Sequence, residues 1–218
     1  MTATLRRSKL THILRAAKPR HQSPALKSAT LRIEAMRPEL EADETPTGWE
    51  HAPTIGKLAT IASVRPEKAS LLFAAVETWQ PTRILEMGTC CGVSGAYMQL
   101  ASSAAFRSLE LSPVAATTAL NLWAALELKG EVVVGDFADT FEAALDPAPD
   151  LAFVDGNHHE APTWSYFERL TAASPAGSLL IFDDVDWSDG MKRVWARIKA
   201  DSRVASSIVA SRMGFAVL

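Results

Sequence analysis

Apolar positions in this chain fall into short runs separated by stretches of helical spacing, and beyond residue 80 the alternation becomes regular. RILEM (83–87), SLEL (108–111), EVVVGD (131–136), DLAFVDG (150–156) and SLLIFDD (178–184) read as five buried strands. Ala96–Ser103, Val114–Leu128, Phe141–Leu145, Thr163–Ala173 and Met191–Ala200 follow them in turn with helical spacing. Strands alternating with helices predict parallel βαβ units, right-handed crossovers and a ligand site at the carboxyl ends of the strands. The closing segments VASSIVAS and MGFAVL read as an antiparallel hairpin.

The part before this alternation is different in character. LRRSKLTHILRAAKPR carries Leu5, Leu10, Ile13 and Leu14 at roughly helical spacing. The acidic, proline-containing stretch from Glu34 to Pro53 reads as a loop or lid. From Ile55 the pattern turns helical again. Glu67–Trp79 is the stronger helix, with Leu71, Leu72, Ala75 and Val76 on one face and Pro81 as its stop. The expected architecture is α/β: a doubly wound sheet closed by an antiparallel hairpin, with residues 1–54 as an N-terminal helical cap and lid, and residues 55–218 as the body.

Composition places few further limits. The 218 residues are 48% hydrophobic and 22% charged with a formal net charge of −3, ordinary values for one sizeable globular domain. The longest uncharged stretch, Met87 to Phe106, is interrupted by Gly, Ser, Thr and Gln and does not read as a membrane span. Cys90 and Cys91 are adjacent and suit small side chains in a tight loop of a protein kept reduced, which points to the cytoplasm. Charge is uneven: residues 1–33 hold eight Lys/Arg and no acid, whereas the rest holds 14 basic and 25 acidic residues. The basic segment reads as a helix packed on the acidic body, with a nucleic-acid arm and a transit peptide as the competing readings.

The strongest chemical signal is the turn after the first strand. Glu86, Gly88, Gly92 and Ser94 stand where that strand hands over to its helix, in the order E-x-G-x-x-x-G. Glycines there let the backbone turn sharply beside a ligand, and the helix start offers free N–H groups. Position 90 is Cys, so the spacing departs from the G-x-G-x-x-G that dinucleotides use, and a carboxylate in the turn suits a cationic amino-acid ligand better than a pyrophosphate. Glu110 ends the second strand, where a carboxylate can accept both hydroxyls of a ribose. Asp136 ends the third, where it can accept from an adenine amine while Phe137 offers a face to the ring; the competing role for Asp136 is N-cap of a helix starting near Ala138.

On these residues the sequence, over roughly 55–218, resembles the class I S-adenosylmethionine-dependent methyltransferases, whose sheet is Rossmann-like. GTCCGVS is similar to the loop of catechol O-methyltransferase and its bacterial relatives. The resemblance implies that Glu86, Gly88, Thr89, Gly92 and Ser94 surround the methionine end of the cofactor, Glu110 the ribose, and Asp136 with Phe137 the adenine. It also implies a small-molecule acceptor, and suggests a homodimer.

The catalytic end rests on the next two strand ends. FVDGNHHE presents Asp155, His158 and His159; FDDVDWSDG presents Asp183, Asp184, Asp186 and Asp189. Carboxylates from neighbouring strands can converge on a hard divalent cation, usually Mg²⁺, which would orient a hydroxyl and lower its pKa. By resemblance to the cation-dependent O-methyltransferases, Asp155, Asp183 and Asp184 fall on the ligand positions and Trp187 on a tryptophan. Asp184 replaces the usual Asn, a change that either strengthens ion binding or repels. The usual Lys after the first Asp is missing, and Asn157 and His158 stand there instead. His158 is then the natural general base, with Asp155 beside it as a second catalytic candidate, because neutral imidazole is available near pH 7. Capping or loop roles compete for all of these, and His159 reads as structural. Trp164, Tyr166 and Trp187 are candidates for an acceptor wall; His12 and His51 carry no chemical argument.

The reading is therefore methyl transfer from S-adenosylmethionine to an oxygen of a small molecule, with a divalent cation as an optional aid. RNA or protein methylation through the basic arm is the runner-up, opposed by the acidic body and by a fourth strand end that lacks the N-P-P-Y-like string of base methylation. A cofactor-binding protein without catalysis is the third reading.

Overall fold

The computed structural model describes residues 3–218; Met1 and Thr2, at the start of the expected cap segment, lie outside the described residues. The chain opens with helix α1 (Ala3–Ala16), a single 3₁₀ turn at Pro19–His21 and helix α2 (Pro24–Glu41). Ser23 starts α2 by accepting a hydrogen bond from the Leu26 N–H (3.1 Å), with Pro24 in the first turn, where its missing N–H costs nothing. A two-stranded ribbon, β1 (Pro46–Trp49) and β2 (Ala52–Thr54), leads directly into α3 (Ile55–Ala62) and then α4 (Pro66–Trp79).

The expected loop over Glu34–Pro53 is thus half helix and half ribbon. α2 runs on to Glu41 because Pro38 lies in its last turn, where few helical bonds follow. Glu34, inside the helix, pairs with Arg37 (2.6 Å) and accepts from the Tyr97 hydroxyl (3.0 Å).

The body follows as β3 (Arg83–Met87), α5 (Val93–Ala101), β4 (Ala105–Glu110), α6 (Pro113–Ala125), β5 (Glu131–Val134) and α7 (Phe137–Ala144). After these come β6 (Leu151–Val154), α8 (Glu160–Ala173), β7 (Leu179–Phe182), α9 (Asp189–Ala200), β8 (Ser206–Ala210) and β9 (Met213–Val217). They form one seven-stranded sheet in the order β5–β4–β3–β6–β7–β9–β8, with β9 antiparallel to both neighbours and the first five strands parallel. This is the doubly wound sheet with a closing hairpin that the sequence predicts. Helix α7 starts at Phe137, earlier than expected, because Asp136 caps it: its carboxylate accepts from the Ala138 N–H at 2.8 Å.

Residue alternation along the strands divides the core in two. Ile84, Phe106, Phe153, Ile181 and Phe215 face α4, α5 and the N-terminal helices. Leu85, Leu109, Val154, Phe182 and Ala216 face α7, α8 and α9. A third cluster, Ala52, Ile55, Leu58, Ala59, Cys91 and Ala115, fastens the ribbon and α3 onto the start of α6 and the loop after β3.

The basic segment is a packed helix, the first of its three readings. Leu10 and Ile13 are fully buried against α4, while Leu5, expected on the same face, is half exposed. Helices α1 and α2 pack on one face of the sheet, and the ribbon, α3 and the start of α4 reach the strand ends. Among the described residues no helix is long and apolar enough to cross a membrane. Truncating a fully buried branched side chain costs about 2–4 kcal/mol. Ile13→Ala is expected to lower unfolding free energy by that amount in urea titration; a loss under ~0.5 kcal/mol would mean that α1 does not pack as described.

Candidate active site

The sheet reverses its strand order between β3 and β6, and the crevice opens at the carboxyl ends of these two strands. The Asp155 N–H bonds the Met87 carbonyl at 2.9 Å, and a Cβ on Gly88 (φ 104°) would collide with the Asp155 carbonyl. Gly92 (φ 81°) is pressed just as closely: a Cβ there would meet Ala119, and its carbonyl accepts from the Trp123 indole at 2.7 Å. Both glycines are required by backbone conformation and close approach together.

Behind the turn lies a closed polar chain. Glu86 is fully buried and accepts from Ser94 and Ser108, each at 2.6 Å, and Ser108 is in turn 2.6 Å from the Thr89 hydroxyl. Burial lifts the Glu86 carboxyl to about 7, against the pull of the two serine hydrogen bonds and with a further push from Glu110. Glu86, Thr89 and Ser94 thus hold the turn together from beneath. Glu110 stands at the surface of the crevice, its carboxylate accepting from the Cys90 N–H (2.8 Å) and the Ser112 N–H (2.9 Å). Burial raises its pKa and these backbone donors oppose the rise.

A cavity of about 800 Å³ fills the crevice, large enough for a nucleoside-sized ligand and a small second molecule. Gly88, Cys90, Glu110, Asp155, His158, Asp183, Asp184 and Trp187 line it, so the structure brings together candidates from four strand ends. Asp136 and Phe137 do not line it; Phe137 lies against Gly156 and edge-on to Tyr166 at 5.9 Å. Of the aromatic candidates only Trp187 reaches the cavity. Trp164 lies under Arg197 (3.4 Å), and Tyr166 is buried. His159 is the N-cap residue of α8 and its side chain caps nothing.

His158 Nε2 is 3.6 Å from Asp155 Oδ1. Burial lowers the His158 pKa, a fall that the Asp184 and Asp183 charges resist, so its imidazole is neutral at pH 7 and free to take a proton. Asp155 is displaced the other way: burial, then the neighbouring Asp183 charge, raise its carboxyl well above the usual range.

Several wall residues were not candidates on sequence grounds: Lys68, Arg212, Trp49 and His51. Trp49 and His51 stack on each other in the ribbon (5.7 Å between ring centres), so the chemically silent His51 is a cavity residue. Lys68 had a legible signal: it stands four and eight residues before Leu72 and Val76, on an otherwise apolar stripe of α4. Its Nζ donates to both oxygens of Asp183 (2.7 and 2.8 Å) and to Asp184 (2.9 Å). Burial works against its charge, but the hydrogen bonds and charge of Asp183 and then Asp184 prevail and hold the ammonium above the usual lysine range.

The expected Mg²⁺ site can be tested against this arrangement. Asp155, Asp183 and Asp184 are hard oxygen donors, but the ammonium already lies against two of them. Among the described residues no group of three His, Cys, Asp or Glu is arranged to hold an ion. As disposed here, the donor set does not fit a resident divalent cation.

Comparison with known proteins agrees with this geometry. Residues 85–185, from β3 to just past β7, match a family model described as a methyltransferase domain. Among solved structures, the chain is similar to an O-methyltransferase from Bacillus cereus in complex with SAH (20% identity, 95% of this chain and 97% of that one, TM-score 0.61). It is also similar to the O-methyltransferase TomG from Streptomyces achromogenes (21%, 90% of each chain, 0.61) and to cofactor-bound Rv0187 from MTB (19%, 93% of each chain, 0.65). No curated protein sequence matches it. The fold is that of the class I methyltransferases, and the part that matches a methyltransferase domain, residues 85–185, carries the glycine turn and the acids of four parallel strand ends.

The Glu86 carboxyl gives a test of the buried chain. Because its folded pKa lies above the unfolded value of 4.5, it contributes stability that is full below pH 4.5 and is lost as pH rises through about 7. Glu86→Gln should remove this dependence, so that wild type loses up to about 3 kcal/mol relative to the variant between those pH values in urea titrations. Parallel curves for the two proteins would mean that Glu86 is ionised at neutral pH.

Proposed function

We propose that this enzyme transfers a methyl group from S-adenosylmethionine to a hydroxyl oxygen of a small-molecule acceptor. The observation that carries the reading is the meeting of Glu110 and Gly88 with His158 in one cavity at the strand-order reversal. The solved O-methyltransferases of the same fold, one in complex with SAH and one in complex with SAM, support the choice of cofactor and of oxygen.

In this reading Glu110 accepts the ribose hydroxyls, the glycine turn receives the methionine end, and Asp136 with Phe137 stands at the adenine side by position at the end of β5. The donor supplies an electrophilic sulfonium methyl. The acceptor lies between His158 and the ribbon, where Trp49, His51 and Trp187 give it aromatic walls. His158 takes the hydroxyl proton at Nε2 as the oxygen bonds to the methyl carbon; the carbon–sulfur bond breaks and its electron pair stays on sulfur. The Asp184 and Asp183 charges steady the imidazolium so formed. Holding the reactants in line and excluding water supply most of the rate. The segment 1–54 contributes to acceptor choice through its ribbon. Unbridged Cys90 and Cys91 support a reducing, cytoplasmic setting, and a homodimer belongs to the same reading.

Transfer of labelled methyl from S-adenosylmethionine to a panel of phenols, catechols and aliphatic alcohols tests the proposal. Wild type should label an acceptor oxygen, with an acid limb in its pH profile below 6.5 as His158 protonates. His158→Ala should lose about 100-fold in kcat and lose that limb, with cofactor affinity kept. Label found on nitrogen or carbon, or full activity in the variant, would overturn the oxygen or the base assignment respectively.

A further inference from the structure

The family's cation-dependent members suggested three ligand positions here, yet the strand ends hold a cation of the protein's own. The cavity wall carries the carboxylates of Asp155, Asp183 and Asp184, and two side-chain cations answer them. Lys68 reaches Asp183 through both oxygens and Asp184 through one, all within 2.9 Å. Arg212 flanks the other side, 3.3 Å from Asp184 and 2.9 Å from Asp186. Asp184 sits in a left-handed backbone conformation (φ 50°) that turns its carboxylate toward both cations. The extra negative charge of Asp at 184, where an Asn was the familiar residue, is thus balanced by lysine and arginine.

Lys68 is well placed to serve chemistry as well as packing. It comes from the first turn of α4, outside the βαβ body that supplies the aspartates, and its side chain is only one-fifth exposed. His158 and Gly88 line the same cavity, so the ammonium shares it with the proposed base and the turn that receives the donor. A developing alkoxide or phenoxide entering this wall meets a fixed positive charge in a partly desolvated site, where such a charge counts for far more than in water.

We propose that the Lys68 ammonium replaces a divalent cation in this active site: together with Arg212 it balances the charge of Asp183 and Asp184, and it positions the acceptor oxygen for methyl transfer without metal. The inference rests on the methyl-transfer reading for the second half of this statement only; the exclusion of metal by Lys68 stands on the ion pairs alone. The bonds made and broken are those given above, and the proton still goes to His158.

The test has two arms. In the first, Mn²⁺ binding is followed by electron paramagnetic resonance on wild type, Lys68→Ala and Lys68→Met. Wild type should bind no Mn²⁺ up to about 1 mM, and removal of the ammonium should create a site at least tenfold tighter than any in wild type. Tight Mn²⁺ binding to wild type, or none to either variant, would overturn the proposal. In the second arm, wild-type transfer should be unchanged by EDTA and unstimulated by Mg²⁺. Lys68→Met should lose about 100-fold in kcat with S-adenosylhomocysteine affinity held within about threefold, and Lys68→Arg should recover part of that loss. Strong Mg²⁺ dependence in wild type, or wild-type kcat in Lys68→Met, would overturn it. Should wild type neither bind S-adenosylhomocysteine nor transfer methyl, the methyl-transfer reading fails, while the Mn²⁺ arm still decides whether Lys68 holds the place of a metal.

Discussion

The carboxyl ends of β3 and β6 are pinned to one another, and the site depends on that join. Neighbouring parallel strands meet here with their helices leaving to opposite faces of the sheet, which is what opens a crevice at a reversal of strand order. The Asp155 N–H holds the Met87 carbonyl, and the chain after β3 passes so close to Asp155 that position 88 must be glycine. From this single contact the rest is placed. The glycine turn rises on one side toward Glu110, and the loop with Asp155 and His158 rises on the other, so a ligand held by one half faces the chemical groups of the other.

Charge is arranged in two depths around that join. Below the turn, Glu86 is satisfied by two hydroxyls and, among the described residues, meets no cation, an arrangement that favours a proton and stiffens the loop. At the surface of the crevice the aspartates are met by Lys68 and Arg212, which come from α4 and from the turn between β8 and β9. The helical segment before the sheet and the final hairpin therefore both contribute side chains to the chemical end of the βαβ body. The ribbon and α3 complete the enclosure by packing Ala52, Ile55 and Leu58 against Cys91 and Ala115.

Much of this was legible in the residue pattern, for physical reasons. Central parallel strands are buried on both faces, so RILEM and SLLIF stand out as unbroken apolar runs, and the order of acids at their ends follows directly. The ribbon was not legible: PTGW and APT are short, half exposed and carry prolines, and their pairing depends on the surface beneath them. Continuation of α2 through Glu34–Glu41 was masked by Pro38, which is tolerated only because the helix ends a turn later. The cavity wall was legible where it came from strand ends and silent where it came from elsewhere. Lys68 stands 115 residues before Asp183 and Arg212 lies in the closing hairpin beyond α9, and His51 acquires a place only through the ribbon. Asp136 shows the converse, a strand-end acid whose carboxylate is engaged in capping the next helix.

The measurement closest to the centre of this account is calorimetric titration with S-adenosylhomocysteine of wild type and of Glu110→Ala. The account predicts one site per chain with about micromolar affinity in wild type, weakened at least tenfold when the carboxylate that faces the crevice is removed. Absence of binding to wild type, or equal affinity in the variant, would contradict the assignment of the crevice beside Gly88 and Glu110 as the donor site.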